Sequence, residues 1–218
     1  MPYKRENGKF VTDGTTIYFN DTETHTFHAY YPYQADGGTV TVSTAADKQG
    51  TGIDFLFASG ATGDTHNPTV SFTGDHAFHH CMSLIKFTFK AGDGLIFNET
   101  EPAGYTLEGL KHEGTFDTAT GTTAVTAASE SPITMQLGGA TTSQVIILPQ
   151  EVTTSPGLSV AYNDETYTTT LPQPSTGKFD TGYAYTYTIT LNNQSITVES
   201  PEITPWKAGD SNDASATL

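Results

Sequence analysis

The stretch Tyr183-Ala184-Tyr185-Thr186-Tyr187-Thr188-Ile189-Thr190-Leu191 alternates large apolar residues with small or hydroxylated ones without a break. A period of two places Tyr183, Tyr185, Tyr187, Ile189 and Leu191 on one face of a strand and Ala184, Thr186, Thr188 and Thr190 on the other. Asn192-Asn193 follow, and Ile196 and Val198 resume the alternation. Read as a two-residue hairpin loop, Asn192-Asn193 sets Leu191 opposite Gln194, Ile189 opposite Ile196 and Tyr187 opposite Val198. The apolar partners then share one face, as register requires.

The same pattern extends outward from this hairpin. With Asp13-Gly14 as a loop, Phe10 faces Ile17 and Val11 faces Thr16. A third hairpin turns around Tyr162-Asn163-Asp164-Glu165 and joins Leu158–Val160 to Tyr167–Leu171, in either of two registers one residue apart. Further strands are expected at Phe27–Tyr31, Thr39–Ser43, Asp54–Ala58, Val70–Phe72, Met82–Lys90, Tyr105–Leu110, Ile133–Leu137 and Gln144–Leu148. They are rich in Thr, Val, Tyr and Phe and are punctuated by Gly, Pro, Asn and Asp, the spacing of a sandwich or barrel. No window carries a helical apolar stripe. Thr118–Ser131 has no apolar face and reads as a loop. The fold class is all-β. The turn-rich stretch Ser59–Pro68 is the expected boundary between an N-terminal β unit, residues 1–68, and a C-terminal β-sandwich, residues 69–218. The first unit is thin for an independent core, which suggests that strands preceding it are missing.

Composition excludes several function classes. The 218 residues include nine basic and twenty-four acidic ones, for a net charge of −15. Such a surface repels phosphate backbones and anionic headgroups, so nucleic acid and membrane surfaces are poor partners. A single cysteine, Cys81, forms no internal disulfide. The longest aliphatic run, Val145-Ile146-Ile147-Leu148, falls far short of the ~20 residues of a spanning helix. Residues Met1–Phe10 lack the apolar segment of a signal peptide.

Candidate chemistry is sparse. His76, His79, His80 and Cys81 form the one cluster of metal-type ligands. On a strand, His79 and Cys81 share one face and His76 and His80 the other, so no face supplies the three or four ligands of a zinc site. His25, His28, His66 and His112 could join it only through the tertiary fold. There is no Gly-x-Ser-x-Gly elbow, and Cys81 sits in apolar sequence, where a buried inert thiol is the simpler reading. Glu99 and Glu101 flank Thr100 but need a cleft between them to hydrolyse glycosides. Gly92-Asp93-Gly94 and Gly138-Gly139 lack the helix and Lys of a phosphate site. The sequence thus assigns no catalytic, cofactor-binding or metal residue. Trp206, outside the hairpin pattern, is expected to plug the edge of the core.

Six short stretches, in order, resemble the fimbrillin-like proteins of Bacteroidales surface pili. They are Phe27-His28-Ala29-Tyr30-Tyr31-Pro32-Tyr33, Asp54-Phe55-Leu56-Phe57-Ala58, Phe78-His79-His80-Cys81-Met82-Ser83-Leu84-Ile85-Lys86-Phe87, Leu148-Pro149-Gln150, Gly182-Tyr183-Ala184-Tyr185-Thr186-Tyr187-Thr188-Ile189 and Ile203-Thr204-Pro205-Trp206. The resemblance implies two transthyretin-like antiparallel β-sandwich domains, the second beginning near Val70. It also implies export as a lipoprotein to the outer membrane of a Gram-negative cell and display as a stalk, anchor or tip subunit. In polymerising members a protease removes an N-terminal strand after a basic residue, and a strand from another subunit fills the groove. This chain lacks the lipid-attachment Cys and the opening strand of the family pattern, so it is expected to be a truncated form. The resemblance alone does not make Arg5, the only arginine, a processing site.

The implied function is a non-enzymatic cell-surface pilus subunit or adhesin that assembles by β-strand addition. Its partners would be other pilus subunits, by donor-strand exchange, and a host protein or glycan. No cofactor, nucleic acid or membrane insertion of the mature chain is implied. The alternative is an extracellular carbohydrate-binding β-sandwich module, which needs two or three coplanar exposed rings where a pilin buries them.

Overall fold

The computed structural model describes residues 2–6, 9–14, 17–97, 102–126 and 130–207. Among these there is no α-helix, only the 3-10 turns Ala46–Lys48, Thr51–Ile53 and Gly74–His76. The largest sheet has five strands. Thr142–Ile147, Ser83–Ala91 and Tyr183–Asn192 lie side by side, and Ser195–Val198 and Glu202–Pro205 share the far edge. A four-stranded sheet, Ile133–Gln136, Gly104–Glu108, Gly157–Tyr162 and Glu165–Thr170, faces it. Ile85, Phe87, Phe89, Tyr185, Tyr187 and Ile189 from one sheet meet Tyr105, Leu107, Leu158 and Val160 from the other in a closed core. The period-two face read from Tyr185–Leu191 is the face that fills this β-sandwich. Tyr183, at the start of the same row, is left exposed.

The two central strands, Ser83–Ala91 and Tyr183–Asn192, run parallel. A parallel pair needs a long crossover, and here the connecting chain supplies the whole opposing sheet. One end of the large sheet is buried on both faces. Leu84, Ile146, Leu148 and Ala184 point away from the first core into a second, shared with Val42, Phe55, Phe57, Phe116 and Trp206. That double burial explains why Val145–Leu148 reads as a continuous apolar run and not as an alternation.

Two three-stranded sheets carry the second core. One orders Thr123–Val125, Glu113–Asp117 and Thr39–Ser43; the other orders His25–Tyr31, Leu56–Gly63 and His79–His80. The ladder between Thr39–Ser43 and Glu113–Asp117 crosses residue 68, and Ser59–Gly63, within the expected boundary, is strand. At Gly60 (φ 85) the ladder skips a residue, Phe27 pairing Ala61 and His28 pairing Ser59. The bulge makes room for His76, whose Nδ1 would lie 2.6 Å from a Cβ at Gly60.

Several local expectations are corrected. At the front, Lys9–Thr12 pairs with Tyr3–Glu6, Arg5 opposite Phe10; of the partners expected across Asp13-Gly14, Ile17 is not in a strand and Thr16 lies outside the described residues. The two residues between these strands are Asn7-Gly8, a stronger hairpin signal than Asp13-Gly14. In the 183–198 hairpin, Leu191 pairs Ile196 and Ile189 pairs Val198, so the loop is Asn193-Gln194. Asn192 stays in the strand because its Oδ1 accepts from the Asp93 N–H at 3.0 Å. The pairing shift is even, so every apolar residue keeps its face. Asn163 and Asp164 adopt φ of 52° and 61°, a type I′ turn that pairs Tyr162 with Glu165 and settles that register. Val70–Phe72 is not a strand, whereas Thr123–Val125, inside the expected loop Thr118–Ser131, is one.

Candidate functional site

In a β-sandwich the groups free to act are found at sheet edges, where one row of backbone N–H and C=O has no neighbour. Two edges of this fold are in contrasting states.

Among the described residues, Thr39–Ser43 ends its sheet with Glu113–Asp117 on one side only. The Thr44 N–H donates to the His112 carbonyl at 2.9 Å and the Thr118 N–H to the Gly38 carbonyl at 3.0 Å. Even-numbered residues therefore make the ladder bonds, and the N–H and C=O of Thr39, Thr41 and Ser43 point outward. Thr39 and Thr41 are exposed. Val42 is buried and Val40 packs partly buried against the second core, near Tyr30 and Phe116. The strand Thr-Val-Thr-Val-Ser carries no charge and no proline, the usual protections of an edge. It can pair with an added strand whose alternate side chains extend the Val40–Val42 row.

Thr142–Ile147 ends the large sheet and is equally uncharged, but its Ile146 end is capped. Gln49 Nε2 donates to the Ile146 carbonyl at 3.0 Å, and Gln49 Oε1 accepts from the Ile146 N–H at 2.9 Å. The side-chain amide thus stands in for the peptide group of a neighbouring strand. Gln49 Nε2 also donates to the Thr44 carbonyl at 2.7 Å, which fixes the cap to the chain just after the open edge. No pattern in the sequence marks Gln49, because its partner is 97 residues away.

The His/Cys cluster is dispersed. His76 Nδ1 lies 2.9 Å from the Ser59 carbonyl oxygen. His79 is exposed, and His80 is buried with Nδ1 2.8 Å from Asp54 Oδ1. His112 bonds the Ser131 carbonyl elsewhere. No three metal-type ligands converge among the described residues. Cys81 is fully buried, and that burial, with the Asp54 carboxylate second, pushes its thiol up to about 12. It is no nucleophile in the folded state. Glu99 and Glu101 lie outside the described residues.

Trp206 plugs the core edge as expected. It is 4% exposed, stacks on His80 at 3.8 Å with 4° between the rings, and donates its backbone N–H to the Gly182 carbonyl at 2.7 Å. Asp54, His80 and Trp206 therefore join the turn before Leu56–Gly63, the strand His79–His80 and the end of Glu202–Pro205 at one point. Tyr18, Tyr31 and Tyr33 are exposed, and none of them pairs with another ring among the described residues.

Comparison with known proteins finds relatives of the same fold. A family model described as fimbrillin-like matches residues 1–206. A crystal structure of a candidate cell adhesion protein from Bacteroides uniformis superposes with a TM-score of 0.78 at 26% identity, over 93% of this chain and 82% of that one. A second candidate cell adhesion protein, from Bacteroides ovatus, gives a TM-score of 0.77 at 30% identity, over 95% and 79%. A fimbrial protein from Bacteroides vulgatus shares the fold, with a TM-score of 0.59 at 14% identity over 94% and 84%. No curated protein sequence matches significantly.

Proposed function

The chain belongs to the fimbrillin-like family, and on that premise we propose that it is a non-enzymatic fimbrial subunit or adhesin that joins other subunits by β-strand addition. The observation that carries this reading is the uncharged edge Thr39–Ser43, uncapped among the described residues, with Thr39, Thr41 and Ser43 presenting outward backbone groups beside an apolar row. A donor strand supplies main-chain pairing along the edge and alternate apolar side chains for specificity. The family places the protein at the cell surface. Delivery as an outer-membrane lipoprotein, and a two-unit organisation in which residues 1–68 are completed by the hairpin Glu113–Val125, are part of the same proposal. No helix of the described residues is long and apolar enough to cross a membrane.

The test is light scattering coupled to size exclusion, with and without a synthetic peptide carrying apolar residues at alternate positions. Strand addition predicts concentration-dependent oligomers, or a monomer whose unfolding midpoint the peptide raises. Thr41→Pro removes only an outward N–H, so it keeps the ladder and abolishes both effects. A peptide-indifferent monomer at all concentrations contradicts the proposal.

A further inference from the structure

We propose that the strand filling the Thr39–Ser43 edge comes from a second copy of this chain, in the hairpin of Tyr3–Glu6 and Lys9–Thr12. The inference rests on the strand-addition reading above and names its donor. Tyr3–Glu6 and Lys9–Thr12 form a two-stranded sheet that pairs with no further strand among the described residues. Neither Tyr3 nor Val11 belongs to either core. A hairpin left to itself in water is marginal and gains from a further strand. The Asp13 N–H donates to the Pro2 carbonyl at 3.0 Å. Ladder bonds alternate from that pair, so the N–H and C=O of Phe10 and Thr12 point away from Tyr3–Glu6. Laid parallel to Thr39–Ser43, Lys9–Thr12 sets Phe10 and Thr12 opposite Val40 and Val42, extending the apolar row. Lys9 then lies beside Thr39 on the solvent face.

Charge selects this donor. Lys4, Arg5 and Lys9 are three of the nine basic residues, and Glu6 is one of the twenty-four acidic ones. On the acceptor, Asp117 and Glu113 stand opposite Thr39 and Ser43 at the two ends of the ladder, and Asp36 is exposed just before it. Residues 34–44 and 112–126 hold no Lys or Arg. A basic hairpin thus meets an acidic sheet, whereas two copies of a chain that carries −15 otherwise repel. Donor and acceptor are different surfaces, so the contact runs head to tail and propagates.

Sedimentation velocity of the full chain over a concentration series tests this, with circular dichroism showing that each variant is folded. The wild type should associate as concentration rises, and less so at about 1 M salt, where the Debye length is ~3 Å. Arg5→Glu combined with Lys9→Glu impairs the donor and should weaken association roughly tenfold by reversing two charges. Thr41→Pro impairs the acceptor, and Glu113→Lys, at a partly exposed position, should weaken association as well. At concentrations where the wild type assembles, neither the hairpin variant nor Thr41→Pro should do so alone. Their equimolar mixture should form dimers and stop there, since each dimer is left with one impaired hairpin and one impaired edge. A hairpin variant that associates like the wild type, while Thr41→Pro does not, overturns the donor and leaves the edge reading standing. A wild type that stays monomeric throughout also overturns the donor, and binding of the alternating-apolar peptide then decides the edge by itself. Thr41→Pro associating like the wild type, with no peptide bound, overturns both.

Discussion

Replacing Gln49 by alanine should both destabilise the protein and open a second edge. The side chain makes three hydrogen bonds, at 2.7, 2.9 and 3.0 Å, to the backbones of Thr44 and Ile146. At about 0.5–1.5 kcal/mol net each, their loss costs roughly 2–4 kcal/mol. Ile146 is only 8% exposed, so its freed N–H and carbonyl are poorly rewetted and the cost should fall in the upper half of that range. Gln49→Glu should fare no better at neutral pH, because a carboxylate oxygen would then face the Thr44 and Ile146 carbonyls. Urea unfolding followed by circular dichroism gives the free energy. Light scattering on the same samples should find Gln49→Ala self-associating through the uncovered Thr142–Ile147 edge. A loss below about 0.5 kcal/mol together with a strictly monomeric variant would refute the idea that this amide serves as a strand cap.

Other substitutions probe the Trp206 stack and the bulge. Trp206→Ala should cost about 3–5 kcal/mol, and Trp206→Phe, which keeps a ring over His80, clearly less; equal losses would mean that the stack contributes nothing. Gly60→Ala, strained at φ 85 and 2.6 Å from His76 Nδ1, should cost about 1–2 kcal/mol for the left-handed backbone alone. Adding His76→Ala should recover only the steric part, and full recovery would argue against backbone strain. Cys81 should resist a disulfide-exchange reagent at pH 8 until urea unfolds the chain. The unfolded thiol ionises near ~8.5, whereas the folded one holds its proton to about 12. Above pH ~8.5 the unfolded state binds fewer protons than the folded state, so stability falls as pH rises, by about 2 kcal/mol at pH 10 from this thiol. Buried Tyr105 and Tyr187, also raised chiefly by burial, steepen the loss at higher pH. A Cys81→Ala variant with the same alkaline decline would contradict the assignment to the thiol.

What could be read from the sequence follows from which interactions are local. The face of Tyr185–Leu191 and the strand Thr39–Ser43 were legible because their alternation is written in consecutive residues. The hairpin register was legible only to within two residues, since moving the loop by one leaves every face unchanged, and Asp93 decides it from another loop. Glu113–Asp117 escaped notice because its inward positions are Gly114 and Phe116. A glycine is required there, as a Cβ would meet the Ala124 carbonyl oxygen at 2.5 Å and Leu148 at 2.7 Å. The parallel pair at the centre and the Gln49 cap join residues about a hundred positions apart, beyond the reach of periodicity. The open edge is likewise a property of the assembled sheet, since it depends on what does not lie beside Thr39–Ser43.

The most direct test of the open edge is amide hydrogen exchange of Thr39, Thr41 and Ser43 against Val40 and Val42, resolved by NMR. The ladder geometry predicts fast exchange at the three odd positions and protection at the two even ones, with protection spreading to Thr41 when the strand peptide is added. Equal protection at all five positions in the free protein would mean that the edge is already covered and would contradict the account.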